Sequence, residues 1–227
     1  MLSCMAAKVL PPIAGRPVLT RYFCTQIQHF TTVMYPHLQE RRIVLASQSP
    51  RRRELVAMLG LNVESIAKDV DESWPQEIEG VDVAEFVARK KAEAYRDILK
   101  PKDILITGDT VVVLGGKVLE KPRDEEDACR MLRALSGETH TVASAVAVTT
   151  LESGVQSTLD VCDVDVDELS EDFIKTYVAS GSPMDKAGAY GVQDIMGLIG
   201  VTRLSGSFYT VMGMPTHCLH TLLMAVE

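Results

Sequence analysis

SQSPRRR, at residues 47–53, is the most informative stretch of this chain. The apolar run IVLA precedes it at 43–46, and a helical pattern follows it at 54–59 and stops at Gly60. This order predicts a strand, a tight turn and a helix that has Ser49 as its N-cap and Pro50 in its first turn. The N–H groups of a helix N-terminus favour an anion, and arginine donors match phosphate. The alternative is an ordinary capped helix whose basic residues are solvated.

The composition is that of a soluble globular protein with an acidic balance. The 227 residues are 46% hydrophobic and 24% charged, which suits one large domain or two small ones. The net charge of −8 disfavours nucleic acid as a partner, so a local basic site fits a small anionic ligand better. Because no apolar run approaches the roughly 20 residues that span a bilayer, we expect no membrane partner. Five scattered cysteines indicate free thiols in a reducing compartment, and we predict a cytoplasmic protein.

Residues 1–39 differ from the rest of the chain. They contain basic residues at positions 8, 16 and 21, no acidic residue, and four prolines. Such an acid-poor leader is typical of an organelle transit peptide. The alternative is a disordered extension, with translation starting at Met34. We therefore predict an N-terminal extension at 1–40 and one folded domain at 41–227.

The remaining pattern predicts a mixed α/β fold with two lobes and a cleft between them. Strands are expected at 62–67, 104–107, 111–114, 117–119, 140–150 and 158–166, and a last hairpin at 195–203 and 208–212. Helices are expected at 81–99, 124–135 and 170–179, and from 215 to the end.

Three groups of residues could carry chemistry. Asp109 follows an apolar run, and the carboxyl ends of strands are where α/β proteins bind ligands, although an Asp there can simply stabilise a turn. The acidic loop with Asp69, Asp71 and Glu72 could hold a divalent metal or could be solvated. The basic residues complete what phosphoryl chemistry needs, although each lysine alone suits an ordinary surface. They are Arg51, Arg52, Arg53, Lys90, Lys91, Lys121 and Lys186.

The ordered motifs resemble one protein family. SQSPRRREL, DVDE, ARKKA, GDT, EKPRD, LSGETHTV and PMDKAGAYGVQ occur in the order and spacing of the Maf (septum-formation inhibitor) family of nucleoside triphosphate pyrophosphatases. The resemblance covers the chain from about Arg41 to its end. It implies an elongated mixed sheet like that of the inosine triphosphatases, with two lobes, a central cleft and a homodimer. It also implies hydrolysis of a nucleoside triphosphate to the monophosphate and pyrophosphate with Mg²⁺ or Mn²⁺, as a form of nucleotide-pool sanitation.

The same resemblance assigns roles by position. Asp109 is the expected proton acceptor, which activates the water that attacks the α-phosphate, and Glu72 helps Asp109 to bind the metal. Lys91 and Lys121 are expected to contact the phosphates, and Lys121 is also expected to be a catalytic residue. Ser49 and Arg52 belong to the phosphate-binding turn.

Three further positions imply the substrate. Arg51, Thr110 and Gln193 match the subgroup that acts on dTTP and UTP, and modified pyrimidine nucleotides are further expected substrates. A Gln amide offers both a donor and an acceptor to thymine or uracil, whereas an ionised Glu only accepts. Gly108 and Asp194 depart from the family pattern, and Asp194 is expected to add a carboxylate beside the base pocket. The alternative function is a nucleotide-binding regulator of cell division with little turnover.

Overall fold

The computed structural model describes residues 33–226, which form a mixed sheet with helices on both faces. Its strands are β1 (Ile43–Leu45), β2 (Val63–Ser65), β3 (Ile104–Leu114), β4 (Lys117–Leu119), β5 (Thr139–Thr150), β6 (Gly154–Val166) and β7 (Val201–Ser205). Its α-helices are α1 (Pro50–Met58), α2 (Asp82–Ala94), α3 (Glu125–Leu135), α4 (Glu171–Ala179), α5 (Ile195–Ile199), α6 (Phe208–Val211) and α7 (Thr216–Met224). Short 3₁₀ turns lie at Pro36–Leu38, Arg96–Ile98, Ser182–Asp185 and Ala187–Ala189.

The seven strands leave a gap at the centre of the sheet. Their order is β2-β1-β3-β5-β6-β7, with β4 paired to β3, and only β1 pairs in parallel, with β2 and β3. On one edge of β3, β1 covers residues 104–106 and β4 covers residues 112–114. Residues 107–111 therefore pair with β5 on one side and have no strand from the described chain on the other. This gap leaves one edge of β3 open at residues 107–111, so a ligand can approach the middle of that strand.

The two faces of β3 and β5 carry different cores, because side chains alternate along a strand. Val111, Ala143 and Ala145 face α2 and pack with its buried valines and alanines. Ile106 and Val112 face the larger core, which also includes residues of α3, α4 and α7. Neighbouring residues in the gap are therefore presented to opposite faces of the sheet.

Several predicted boundaries are confirmed. Ser49 caps α1 by accepting the Arg52 N–H at 3.4 Å, and Pro50 is the first helical residue. Asp124 and Ser170 cap α3 and α4 in the same way. The strands predicted at 111–114 and 117–119 pair through a turn at 115–116, and both glycines of this turn have positive φ angles.

The prediction that Asp109 lies at the end of a strand is wrong. The runs 104–107 and 111–114 belong to one strand of 11 residues, and Asp109 lies in its middle. Gly108 continues the strand and pairs with Val146. A Cβ atom at this glycine would lie 2.8 Å from the Ala145 carbonyl oxygen, so the glycine permits a close approach of two strands instead of making a turn.

The predicted hairpin over 195–212 is also wrong. Only Val201–Ser205 is a strand, and it pairs with β6. The flanking apolar runs form α5 and α6. Short apolar runs fit a strand or a helix equally well, and here the Asp194 carboxylate caps α5 by accepting the Met196 N–H at 3.0 Å. The helix predicted at 81–99 is shorter than expected, because α2 ends at Ala94 and a 3₁₀ turn follows.

Most of the predicted leader at 1–39, with the possibility of organelle targeting, lies outside the described residues. Of its described part, Tyr35 and Leu38 are buried in the larger core. The Tyr35 hydroxyl also contacts His220 Nδ1 of α7 at 2.8 Å. The boundary predicted at residues 40–41 stays a prediction. No helix within residues 33–226 has both the length and the apolar character of a membrane span.

Candidate active site

A pocket of about 980 Å³ lies at the gap in the sheet. The turn at 47–52, the acidic loop, α2, β3, the segment 185–193 and the loop at 211–213 all contribute to its lining. All nine predicted site residues border it, although their predicted roles are not tested by this placement. They are Ser49, Arg51, Arg52, Glu72, Lys91, Asp109, Thr110, Lys121 and Gln193.

Lys91 joins the two predicted metal-binding carboxylates. Its Nζ lies 2.8 Å from Glu72 Oε1 and 2.8 Å from Asp109 Oδ1. Asp109 is buried on the α2 face of β3, whereas Glu72 is half exposed at the pocket edge. Burial raises the pKa of Glu72, but the Lys91 ammonium and the more distant Lys121 and Arg52 outweigh it, so the pKa lies below its ordinary value. Glu72 is therefore ionised at neutral pH.

The two carboxylates fit a divalent cation that takes its other ligands from elsewhere. Within residues 33–226, no group of three or more His, Cys, Asp or Glu side chains is arranged to hold a metal. Mg²⁺ commonly binds through one or two carboxylates and completes its shell with water and substrate phosphates. Glu72 and Asp109 supply that number of hard oxygen donors.

The other acidic residues of the loop have a different place. Asp69 is exposed and borders the pocket. Asp71 instead accepts the Ser73 N–H at 2.9 Å and pairs with Lys90 Nζ at 2.9 Å. The bonds from Ser73 and the Lys90 ammonium hold the pKa of Asp71 below its ordinary value. Asp71 and Lys90 thus tie the acidic loop to α2.

Arg52 is held in place on the opposite face of β3 from Asp109. Its Nε donates to the Gly213 carbonyl oxygen at 2.8 Å, and its Nη2 donates to Thr110 Oγ1 at 3.0 Å. Burial lowers the pKa of Arg52, and the negative charges of Asp109 and Glu72 oppose that effect. A guanidinium stays charged in such a place, so Arg52 brings a fixed positive charge to the pocket.

The remaining basic residues occupy three environments. Arg51 Nη1 pairs with Asp185 Oδ2 at 3.0 Å, across the pocket from α1. Arg53 is exposed, and Lys121 is exposed at the exit from β4. Lys186 is buried, donates to the Ser182 carbonyl oxygen, and pairs with Asp185 Oδ1 at 2.7 Å. The sequence grouped Lys186 with the basic residues, but nothing local distinguished it as a residue of the pocket lining.

The segment next to Gln193 is fixed by Asp194, which was expected to add a charge beside the base pocket. Asp194 Oδ2 accepts the Tyr177 hydroxyl at 2.7 Å and the Ser182 hydroxyl at 2.9 Å, while Oδ1 caps α5. The Tyr177 oxygen also accepts the Gly191 N–H at 3.2 Å. Gln193 is exposed at the pocket edge. The hydrogen bonds of the Asp194 carboxylate therefore stabilise the conformation of this segment.

His140 supports the same segment from β5. It is buried, and its Nε2 lies 2.7 Å from the hydroxyl of Tyr190, a residue of the pocket lining. Burial lowers the pKa of His140 to about 4. It is neutral at pH 7 and serves as an uncharged hydrogen-bond partner of Tyr190.

Comparison with known proteins finds a matching family model and relatives over most of the chain. The family model described as Maf-like protein matches residues 42–226. A dTTP/UTP pyrophosphatase of Bacteroides thetaiotaomicron is 49% identical over 188 residues, which are 82% of this chain and 97% of the relative. Another from Phocaeicola vulgatus is 42% identical over 192 residues, 84% of this chain and 98% of the relative. Among solved structures, a Staphylococcus aureus Ham1 protein aligns with 81% of this chain and 96% of its own, at 14% identity and a TM-score of 0.46.

Proposed function

This chain belongs to the Maf family, and on that premise we propose that it hydrolyses dTTP and UTP to the nucleoside monophosphate and pyrophosphate. The observation that carries the proposal is the pairing of Lys91 with both Glu72 and Asp109 in a pocket that also contains Arg52. Two carboxylates and two cations thus lie in one pocket, and the proposed reaction needs such groups as proton acceptor, metal ligands and phosphate-binding cation. The names of the relatives supply the choice of nucleotide.

Asp109 is the proposed proton acceptor. It takes a proton from a water molecule as the water oxygen forms a bond to the α-phosphorus. The bond from that phosphorus to the bridging oxygen breaks, and pyrophosphate leaves with the bonding electrons. Lys91 orients the Asp109 carboxylate through a 2.8 Å ion pair and keeps a second partner, Glu72, when Asp109 becomes protonated.

The triphosphate is proposed to bind at the N-terminus of α1. Ser49 and Arg52 lie in that turn, and Lys121 approaches from the exit of β4. Backbone N–H groups and a guanidinium suit the oxygens of a polyphosphate. Arg52 and Lys121 thus provide local positive charge in a chain whose net charge is −8.

Glu72 and Asp109 would hold the divalent metal, Mg²⁺ or Mn²⁺, together with phosphate oxygens of the substrate. When bound, the metal neutralises the phosphate charge that otherwise repels the attacking water.

Gln193 is proposed to select the base, with Arg51 and Thr110 as the other positions that distinguish the pyrimidine type. Its amide can pair with both the N3–H group and a carbonyl of thymine or uracil. Cytosine lacks that N–H donor, and the unmade bond would cost about 1–3 kcal/mol. Modified pyrimidine triphosphates that keep the same edge are expected to be substrates too.

We also propose a cytoplasmic homodimer. Cys129, Cys162 and Cys218 are free thiols, as a reducing compartment favours. Leu198 and Ile199 of α5 are 77% and 60% exposed, and a second copy could cover them. Light scattering on the purified chain tests the dimer, and imaging of a tagged full-length chain tests the compartment against organelle targeting by residues 1–39.

Product analysis in ¹⁸O-water tests the reaction. With dTTP and Mg²⁺, we expect dTMP and pyrophosphate, with the label in dTMP because water attacks the α-phosphorus. Release of single phosphate with dTDP would refute the proposal, and label in pyrophosphate would move the attack to the β-phosphorus. The same assay on UTP, CTP and modified pyrimidine triphosphates ranks the substrates by kcat/KM. A regulator with little turnover is not favoured, because the relatives carry the names of enzymes.

A further inference from the structure

Ser144 of β5 is a buried polar residue that the proposed reaction does not use. Its side chain is fully buried, yet it lies next to the pocket residue Thr110 in the β3–β5 register. The Ser144 and Thr110 hydroxyl oxygens are 2.8 Å apart. Ser144 also bonds to the Thr210 carbonyl oxygen at 2.7 Å. These contacts connect the interior of the sheet with the Arg52 guanidinium, which is 3.0 Å from Thr110.

The available protons and the donor–acceptor distances together give each hydrogen bond of this network a direction. A carbonyl oxygen only accepts, so Ser144 must donate its one proton to Thr210. Ser144 can then only accept from Thr110. Thr110 has used its own proton, so it accepts from Arg52, and a guanidinium can only donate. The Gly213 carbonyl could also take the Thr110 proton, but it is farther away, at 3.4 Å.

We propose that Ser144 is a positioning residue that sets the orientation of Arg52 through Thr110. With Ser144 present, a Thr110 lone pair points at Arg52 Nη2 while the Gly213 carbonyl holds Nε, so the guanidinium plane is fixed at two points. Without it, the Thr110 hydroxyl is free to rotate toward Gly213, and Arg52 loses its oriented acceptor.

This inference rests on the proposed function and adds a feature to it. The Thr110 hydroxyl is committed to Arg52 and Ser144, so Thr110 acts on the phosphate side of the pocket. Unlike the role in substrate choice proposed for it above, Thr110 then acts on the triphosphate, which all nucleoside triphosphates share, and not on the base. Gln193 is left as the polar residue that distinguishes one base from another.

Ser144→Ala tests the inference with inorganic pyrophosphate as the probe. We expect inhibition by pyrophosphate to weaken about five- to tenfold, the size expected for one positioned hydrogen bond. We expect kcat/KM to fall by a similar common factor for dTTP, UTP and CTP, with their ratios unchanged. A changed ratio with unchanged pyrophosphate inhibition would mean that the network reads the base, and no change in either would remove Ser144 from the site. Either result would overturn the inference.

The control variant is Thr149→Val on the same strand. Thr149 is buried, and its hydroxyl has no hydrogen-bond partner in the described part of the chain. Its replacement removes a buried hydroxyl of β5 far along the strand from Thr110, so pyrophosphate inhibition and kcat/KM should stay as in the natural chain. Melting temperatures of both variants separate a loss of stability from a loss of positioning.

A double-mutant cycle shows whether Ser144 acts through Thr110. Thr110→Val should weaken pyrophosphate inhibition as Ser144→Ala does, and the second substitution should add nothing to the first. Thr110→Ser, which keeps the hydroxyl, should retain more of the pyrophosphate affinity than Thr110→Val does. Fully additive effects would overturn the inference. If Ser144→Ala does not fold, the two Thr110 variants carry the test.

The test remains separate from the proposed function. If the natural chain releases no pyrophosphate from any triphosphate, the proposed function fails. Calorimetric titration of pyrophosphate into the natural chain, Ser144→Ala and Thr149→Val then still decides whether Ser144 sets the Arg52 side chain.

Discussion

Two walls of the pocket are built differently. The sheet wall consists of β3 residues 109–112 and the turn at 47–52, and its predicted site residues are held by paired strands and a capped helix. The loop wall consists of residues 182–194, where 3₁₀ turns alternate with extended backbone and a left-handed Gly188. In the sheet wall, Asp109 and Arg52 are fixed by contacts of 2.8–3.0 Å. In the loop wall, Gln193 is exposed.

This difference suggests that the sheet wall serves bond breaking and the loop wall serves discrimination between bases. Bond breaking needs groups held to within a fraction of an ångström, and a continuous sheet provides that rigidity. Discrimination between bases needs a surface that can vary without disturbing the chemistry, and a loop segment provides it. The loop wall is nevertheless anchored, through Tyr190 to His140 and through Asp194 to Tyr177.

The largest expected effect is on the sheet wall. Asp109→Asn should lower kcat by about 10²–10⁴-fold, because an amide cannot accept the proton from water. Steady-state pyrophosphate release with dTTP measures it. The control is Asp103→Asn, a buried Asp next to the other end of β3 that pairs with Arg42 at 2.7 Å, and it should cost stability but not kcat. Near-normal turnover in Asp109→Asn would place the base elsewhere.

The next effect concerns the attachment of the loop wall to the sheet. The pKa of His140 in the folded chain, about 4, lies below the ordinary 6.5, so the stabilisation is present above pH 6.5 and is lost as the pH falls toward 4. The natural chain should lose about 2 kcal/mol of unfolding free energy through this residue between pH 7 and pH 5.

His140→Gln removes that titration and keeps a polar side chain that can hydrogen-bond to the Tyr190 hydroxyl. Urea unfolding of both chains at pH 7 and pH 5 gives the difference. Equal losses of unfolding free energy in the two chains would show that a group other than His140 causes the acid sensitivity. Protonation of His140 would then not weaken the contact between the two walls.

A smaller effect should separate the two walls by substrate ranking. Gln193→Glu should lower kcat/KM for dTTP about tenfold more than for CTP, because an ionised Glu cannot donate to a base carbonyl. Gln156→Glu on the exposed face of β6 adds the same charge away from the pocket and should leave the ranking unchanged. An unaltered ranking in Gln193→Glu would exclude Gln193 from base recognition.

The smallest expected effect comes from the anchor of the loop wall. Asp194→Asn keeps an N-cap for α5 but weakens the bonds from Tyr177 and Ser182. KM for dTTP should rise about two- to fivefold with kcat nearly unchanged, since one charged hydrogen-bond acceptor becomes neutral. Asp172→Asn, in the exposed first turn of α4, is the matched control. A fall in kcat without a change in KM would mean that the loop wall also positions the reacting groups.

Local sequence rules performed best where one short segment decides the structure. Ser49 is predicted correctly as a helix cap, and the helices predicted at 124–135 and 170–179 begin within one residue of α3 and α4. A helix start depends mainly on its capping residue and the next three. The same rules failed for Asp109 and for the run at 195–212. A glycine can continue a strand or end it, and the strand that packs against it decides which. The apolar residues of α5 fit either structure, and the Asp194 cap decided between them.

By itself, the sequence determined the α/β class, the Ser49 helix cap, the family and nine residues that line the pocket. Each depends on residue type and spacing along the chain. Only the tertiary structure decided that Asp109 and Thr110, adjacent in sequence, serve opposite faces of β3. It also decided that Asp194 bonds to Tyr177 and Ser182, that Lys186 pairs with Asp185, that Gly213 accepts from Arg52, and that Ser144 contacts Thr110. The contact between Ser144 and Thr110 joins residues that are 34 positions apart, and the contact between Arg52 and Gly213 joins residues that are 161 positions apart. The contacts of Asp194 and Lys186 are made within their own stretch of the chain. No local pattern encodes distances of that kind.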